Sequence, residues 1–216
     1  MRIVVTRPAD RADELVRRLE ELGHAVEVCP LIAVEPLGDA PLDVEPYDWV
    51  VVTSRTGAAE LARRAAAVPR RVAAVGPGTA AALREHGLEP ALVARVSTQE
   101  GLLEELPRLA GRVLFAGAED ARTLLVEELA AEFVPLYRTR ELRPERFPED
   151  ADLVLLASAS AARAYAAVGA TVPAVSIGPQ TTAAARAGGV KIAAEATTHD
   201  LPGLIEAVIR ASSSPS

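Results

Sequence analysis

The 216-residue sequence is short of several residue types, and each shortage narrows what the chain is. Cysteine occurs once, at Cys29, so no internal disulfide can form, as suits a reducing compartment. Aromatic residues are 3% of the chain, so any core must be aliphatic, and Ala, Val and Leu supply it. Lysine occurs once, at Lys191, the other basic residues being arginine. That bias fits a GC-rich genome or a heat-adapted source equally well. No apolar run reaches the ~18 residues of a membrane span, and the first one is too short for a signal peptide. A cytoplasmic protein without membrane association is the expectation. Positive charge is outnumbered, with a net charge of −7 and a pI near 5.1. That argues against a nucleic-acid partner gripped through its phosphates.

Two chemical signatures are missing as well. The Gly-Pro-x-Thr turns at Gly76–Thr79 and Gly178–Thr181 fit neither GxGxxG nor GxxxxGK[ST], so a dinucleotide or ATP role lacks its usual loop. His24, His86 and His199 are scattered and have no partners at ligand spacing, so no metal site is expected. His24 and His86 lie where helices end, beside Gly23 and Gly87, and read as cations suited to the helix dipole. Cys29 reads as a packed thiol.

What is present is a rhythm. Val-rich apolar runs begin at Ile3, Val26, Val50, Val72, Ala91, Val113, Phe133, Leu153, Ala174 and Lys191. They are nearly continuous in hydrophobicity, as strands covered on both faces should be. Between them lie helix-like segments such as Asp10–Leu22, Gly78–His86, Ala121–Leu129 and Thr181–Ala187. The alternation predicts an α/β fold with parallel sheets. Leu31–Leu37 and Leu136–Leu142 break it, each following a proline and each leading into a Pro/acidic stretch. They read as interdomain connections, paired as a two-stranded ribbon.

The chain also repeats itself. RIVVTRPAD from Arg2 parallels RVLFAGAED from Arg112, and DWVVVTSRTGAAELA from Asp48 parallels DLVLLASASAARAYA from Asp152. AVGPGTAAA from Ala74 parallels SIGPQTTAA from Ser176, and EGLLEEL parallels PGLIEAV, while the offset drifts only from 110 to 102. If each linker crosses between lobes, one lobe is residues 1–35 plus 142–216 and the other 37–137. Each then holds five parallel strands, and the double crossing allows a hinge.

Ligands of open α/β sheets bind beyond the carboxyl ends of strands, where helix N-termini present unpaired N–H groups. This chain loads those junctions with hydroxyls: Thr6, Thr53, Ser54, Thr79, Ser158, Ser160, Thr181 and Thr182. Each alone is an ordinary helix cap; together they would line a cleft rich in hydrogen-bond donors. Tyr47 and Tyr165 read as packing residues. Tyr137, within LYRTR of the second linker, is either an amphipathic hinge residue or a phenol able to donate a proton.

VTRP, DWVVVTSRTG, AVGPGTA with LREHG, VPLYRT, LLASAS, IGPQTTAAARAGGV and THDLPGLIEAV together resemble the uroporphyrinogen-III synthase family over nearly the whole chain. The resemblance implies two flavodoxin-like lobes, helices on both faces of each five-stranded sheet, joined by a two-stranded antiparallel linker. It implies a cofactor-free lyase that cyclises hydroxymethylbilane to uroporphyrinogen III with ring D inverted, through a spiro intermediate and with loss of water. It also implies a monomer receiving substrate from hydroxymethylbilane synthase. Tyr137 matches the family's linker tyrosine, which assists departure of the hydroxyl. Thr6, Arg7, Ser54, Thr79, Ser158 and Thr181 match its substrate-binding positions. Gln180 departs from the pattern, standing where many relatives carry Thr. Hydroxymethylbilane bears eight carboxylates, so a chain of net charge −7 must attract it locally. Helix N-termini at roughly 0.3–1 kcal/mol each, helped by Arg7, Arg55 and Arg138, are the expected means. The competing reading is a two-lobed module that binds a small molecule or senses tetrapyrroles without catalysis.

Overall fold

The computed structural model describes residues 1–107 and 111–213 of the chain. The elements in chain order are β1 (Arg2–Val5), a 3-10 turn (Ala9–Arg11), α1 (Asp13–Glu21), β2 (Ala25–Val28), β3 (Ile32–Pro36), β4 (Trp49–Val52), α2 (Arg55–Arg64), β5 (Val72–Ala74), α3 (Pro77–Glu85) and β6 (Leu92–Val93). They continue with α4 (Gln99–Glu105), β7 (Val113–Ala118), α5 (Leu124–Leu129), β8 (Glu132–Glu141), β9 (Leu153–Leu156), α6 (Ala159–Val168), β10 (Ala174–Ser176), α7 (Pro179–Ala187), β11 (Ile192–Glu195) and α8 (Leu201–Ser213). The chain divides into two compact units, Met1–Val34 with Thr139–Ser216, and Glu35–Arg138.

The first unit is built on a sheet of order β11-β10-β9-β1-β2, parallel throughout. Successive side chains of a strand point to opposite faces, and here both faces are apolar. Val4, Val154 and Leu156 pack with α6 and α7 residues such as Ala162, Tyr165 and Ala185. Ile3, Val5, Leu153 and Leu155 pack with Leu15 and Leu19 of α1 and Leu204 and Val208 of α8. This double cover is why β1 and β9 read as unbroken apolar runs.

The other sheet has six strands in the order β3-β8-β7-β4-β5-β6, of which β7, β4, β5 and β6 lie wholly within the second unit. From β8 to β6 the pairings are parallel. Trp49, Val51, Val113 and Phe115 pack with Leu102 and Leu106 near α4 and with Leu125 of α5. Leu37 N–H donates to the Leu136 carbonyl and Leu142 N–H to that of Leu31, a descending pairing that makes β3 and β8 antiparallel.

The second linker was expected to be separate from the strand at Phe133, but the two form one ten-residue strand, β8. Its pairing with β7 runs Phe115 to Phe133 and Gly117 to Pro135, then jumps to Ala118 opposite Tyr137, leaving Leu136 as an extra residue. Proline cannot donate to the ladder, so a bulge beside Pro135 is where pairing gives way at least cost. Helix Asp10–Leu22 resolves into the 3-10 turn and α1, and Ala121–Leu129 begins only at Leu124. The α3 and α7 helices start earlier than expected because Pro77 and Pro179 occupy their first turns, where a missing N–H costs nothing. Helix α8 continues through Ser213, and residues 214–216 lie outside the described residues.

Candidate functional site

In each unit the hydroxyl residues gather at the carboxyl ends of the strands, and the repeat is visible in their geometry. Ser54 caps α2: its backbone is extended, and its Oγ accepts the Gly57 N–H at 2.8 Å. Ser158 caps α6 in the same way, accepting from the Ala161 N–H at 3.1 Å. Thr79 and Thr181 lie in the first turns of α3 and α7, 5% and 3% exposed.

Those turns are supported by residues that the spacing of hydroxyls had not marked. A Cβ on Gly76 would lie 2.3 Å from Ser97 Oγ, and one on Gly178 would lie 2.6 Å from a ring carbon of His199. The Gly-Pro-x-Thr turn therefore needs glycine because a neighbouring loop packs directly on it. Ser97 and His199 occupy equivalent places in the two loops. Each is followed by a helix cap, Thr98 accepting from Gly101 N–H at 3.0 Å and Asp200 from Gly203 N–H at 2.8 Å. Extending the EGLLEEL and PGLIEAV match three residues upstream would have paired them.

Tyr137 belongs to the second unit's constellation. Cross-strand partners share a face, so Tyr137, opposite Ala118, points to the face away from Phe115 and Phe133. That is the side of α2, and the phenol oxygen lies 2.9 Å from Ser54 Oγ. Tyr137 is 7% exposed, and its carbonyl accepts the Glu119 N–H at 2.8 Å.

Other expected groups are occupied elsewhere. Thr6 is fully buried, and its hydroxyl donates at 2.7 Å to the Leu155 carbonyl, so it stitches the end of β1 to β9. Arg7, which follows it, is half-buried and engaged in an interaction of its own. Arg55 bonds Glu85 and the Gly78 carbonyl, and Arg138 bonds Glu35 at 2.8 Å. These two arginines, expected to attract an anion, are already paired with carboxylates. The donors left for an anionic ligand are then chiefly helix N–H groups and hydroxyls.

Histidine behaves differently from expectation at His24. Burial, with a smaller push from the chain's N-terminal ammonium, lowers its pKa, and its Nδ1 is buried without a hydrogen-bond partner. It is a neutral packing residue rather than a helix-end cation. Burial pushes the Cys29 thiol up, with Glu27 adding to the effect, so it is a poor nucleophile. Among the described residues, no group of three or more His, Cys, Asp or Glu side chains is placed to hold a metal ion, and no helix is long and apolar enough to cross a membrane.

Three comparisons bear on this arrangement. A family model described as uroporphyrinogen-III synthase HemD matches residues 13–206. A uroporphyrinogen-III synthase of Synechococcus elongatus is 26% identical over 95% of this chain and 93% of its own length. A uroporphyrinogen-III synthase homologue of Methanocaldococcus jannaschii is also 26% identical, over 69% of this chain, which spans 66% of that protein. Among solved structures, a mutant uroporphyrinogen III synthase of Thermus thermophilus superposes with a TM-score of 0.69 at 21% identity, covering 98% of each chain.

Proposed function

We propose a function from one premise: the chain belongs to the uroporphyrinogen-III synthase family, whose model matches residues 13–206. The protein cyclises hydroxymethylbilane to uroporphyrinogen III. The terminal hydroxyl leaves as water as pyrrole nitrogen electrons form an azafulvene cation. That cation attacks the substituted carbon of ring D to give a spiro-pyrrolenine, which fragments and recloses with ring D inverted. The proton taken up by the departing hydroxyl is balanced by the one lost from the ring carbon at closure. No other reactant enters.

The observation that carries this reading is the Tyr137 phenol, held 2.9 Å from Ser54 Oγ at the carboxyl edge of its sheet. Tyr137 assists loss of the hydroxyl. Ser54 and Thr79 in one unit, and Thr6, Arg7, Ser158 and Thr181 in the other, form the substrate-binding set, with Thr6 contributing through the backbone it holds. The units act as the enzyme's two lobes. The first sheet runs 2-1-3-4-5 in the order its strands enter that unit. The second does so once β7 is counted first, apart from β3, and this order supports a flavodoxin-like reading of both lobes. The pairing of β3 with β8 supports their role as the linker. The enzyme works as a cytoplasmic monomer on hydroxymethylbilane delivered by hydroxymethylbilane synthase.

Little acid–base power is required, because the pyrrole nitrogens themselves expel the hydroxyl. Holding a flexible tetrapyrrole so that ring D meets the cation in the inverted sense is the larger task, and positioning of this kind supplies up to about 7–11 kcal/mol in favourable cases. The test is to feed enzymatically generated hydroxymethylbilane and separate the oxidised porphyrin isomers. Type III isomer is expected. Type I alone, the product of uncatalysed closure, would overturn the assignment.

A further inference from the structure

The carboxyl edge of the first sheet holds a line of polar groups that the proposed reaction has not used. Ser176, the last residue of β10, is fully buried, and Thr182, the fourth residue of α7, is nearly so. Their hydroxyl oxygens lie 2.6 Å apart. The Thr182 hydroxyl donates to Oε2 of Glu195, the half-buried last residue of β11. A carboxylate only accepts, so Thr182 spends its one proton on Glu195, and the other bond runs from Ser176 O–H to Thr182 Oγ1. The fold itself does not require this line. The repeat builds the same edge in the second unit from Ala74, Ala80 and Val93, the counterparts of Ser176, Thr182 and Glu195. Ala74 and Val93 pair on adjacent strands just as Ser176 and Glu195 do. Apolar residues suffice at all three places, and withdrawing hydroxyls and a carboxylate from water costs free energy. The charge is not neutralised either. Among the described residues Glu195 forms no ion pair and its Oε1 has no hydrogen bond, while Arg210 donates to its backbone carbonyl at 2.8 Å.

We propose that Glu195 is a catalytic residue that accepts a pyrrole N–H of hydroxymethylbilane through Oε1, and that Ser176 and Thr182 are positioning residues that hold its carboxylate. Thr182 adjoins Thr181 in the chain, so the carboxylate is fastened to the turn that bears a member of the substrate-binding set. A negative charge there repels the substrate's own carboxylates, and its proper partner is a donor. With those carboxylates ionised, the pyrrole N–H groups are the substrate's only donors besides the hydroxyl that leaves. As the C–O bond breaks, its electron pair departs on oxygen, a pyrrole nitrogen lone pair fills the vacated carbon, and positive charge moves onto that N–H. The hydrogen bond to Glu195 then becomes an ion pair, so it is stronger in the transition state than in the bound substrate. A carboxylate already held by the Thr182 hydroxyl need not reorient as the charge develops. Glu195 takes no proton and forms no covalent bond.

The inference rests on the proposed reaction, so wild-type protein is assayed first with enzymatically generated hydroxymethylbilane. Type I isomer alone overturns that reading, whatever Glu195 does. With type III formed, Glu195→Gln keeps an oxygen for the Thr182 proton and removes the charge. The expected result is a loss of about tenfold in kcat, with KM no higher than in the wild type because one charge that repels a polyanion has gone. Thr182→Val leaves the carboxylate unheld and should show part of the same kcat loss, recovered by Thr182→Ser. The triple exchange to the second unit's residues, Ser176→Ala with Thr182→Ala and Glu195→Val, should fold, since the repeat already builds that edge so, and should lose at least as much kcat as Glu195→Gln. Wild-type kcat in Glu195→Gln with a lowered KM, the behaviour of a carboxylate that only repels the substrate, overturns the inference while leaving the reaction in place. Wild-type kcat in the folded triple variant does the same. A Thr182→Val variant that shifts only the unfolding midpoint overturns the positioning role.

Discussion

Replacing Tyr165 by Phe removes one oxygen from the middle of the first unit's core. Tyr165 lies on α6, is fully buried, and donates its phenol proton to the Val172 carbonyl at 2.7 Å. Its ring packs 5.2 Å from that of Phe147. Phenylalanine keeps this packing but leaves the carbonyl of Val172, itself a buried residue, without that donor, which costs about 1–2 kcal/mol. At about 2–4 °C per kcal/mol the thermal midpoint should fall by roughly 2–8 °C near neutral pH. The same burial, with a smaller push from Glu149, raises the Tyr165 pKa to about 12. A tyrosine whose folded pKa is raised keeps more proton in the folded state, so its contribution is complete below about pH 10 and is lost as pH rises toward 12. By pH 11 the wild type has lost about 1.4 kcal/mol that the Phe variant never had. The two proteins should therefore converge near that pH and then exchange order. Thermal or urea unfolding monitored from pH 7 to 12 measures this, with tyrosinate absorbance following the ionisation. Equal stability of the two at pH 7, or a difference that stays constant from pH 10 to 12, would refute the reasoning.

Tyr137→Phe should slow formation of type III isomer by about 10–100-fold without abolishing it, and a folded but wholly inactive variant would contradict the positioning account. Thr6→Val should cost about 1–3 kcal/mol in unfolding experiments, because the Leu155 carbonyl loses a buried donor, while the folded fraction keeps its kcat; a normal midpoint with lost activity would instead make Thr6 a direct substrate ligand. Gly203→Ala should destabilise the first unit by about 1–3 kcal/mol, since its Cβ would stand 2.2 Å from the Thr198 carbonyl oxygen. His24, with its pKa lowered by burial, contributes stability above its ordinary pKa near 6.5 that is lost as pH falls, so His24→Leu should flatten the stability slope on the acid side, as chemical denaturation at a series of pH values would reveal.

Much of this molecule was legible in its residues because the signals are local. Strands covered on both faces must be apolar where they are buried, and β1 from Ile3 onward, β4 and β9 are, so each was found to within one residue of where it begins. Helix starts were signalled by Ser54 and Ser158, whose side chains complete the first turn whatever the rest of the chain does. The repeat was legible because the same close approaches, Gly76 on Ser97 and Gly178 on His199, demand the same small residues twice. Less was visible where a side chain's partner is distant in sequence. Arg55 and Arg138 looked available until Glu85 and Glu35 were seen beside them, and nothing in VTRP told whether the Thr6 hydroxyl turned outward or into the sheet.

The sequence by itself thus determined the α/β alternation, the family resemblance and the inventory of hydroxyls at the strand ends, because apolar periodicity, capping and close backbone approach act over a few residues. Tertiary structure alone decided which face Tyr137 occupies. With strict two-residue alternation it would share the face of Phe133; the bulge after Pro135 moves it to the α2 side, within 2.9 Å of Ser54. One unpaired residue in a ladder inverts the direction of every side chain that follows it, and although Pro135 marks where the ladder can slip, only the pairing with β7 decides that it does.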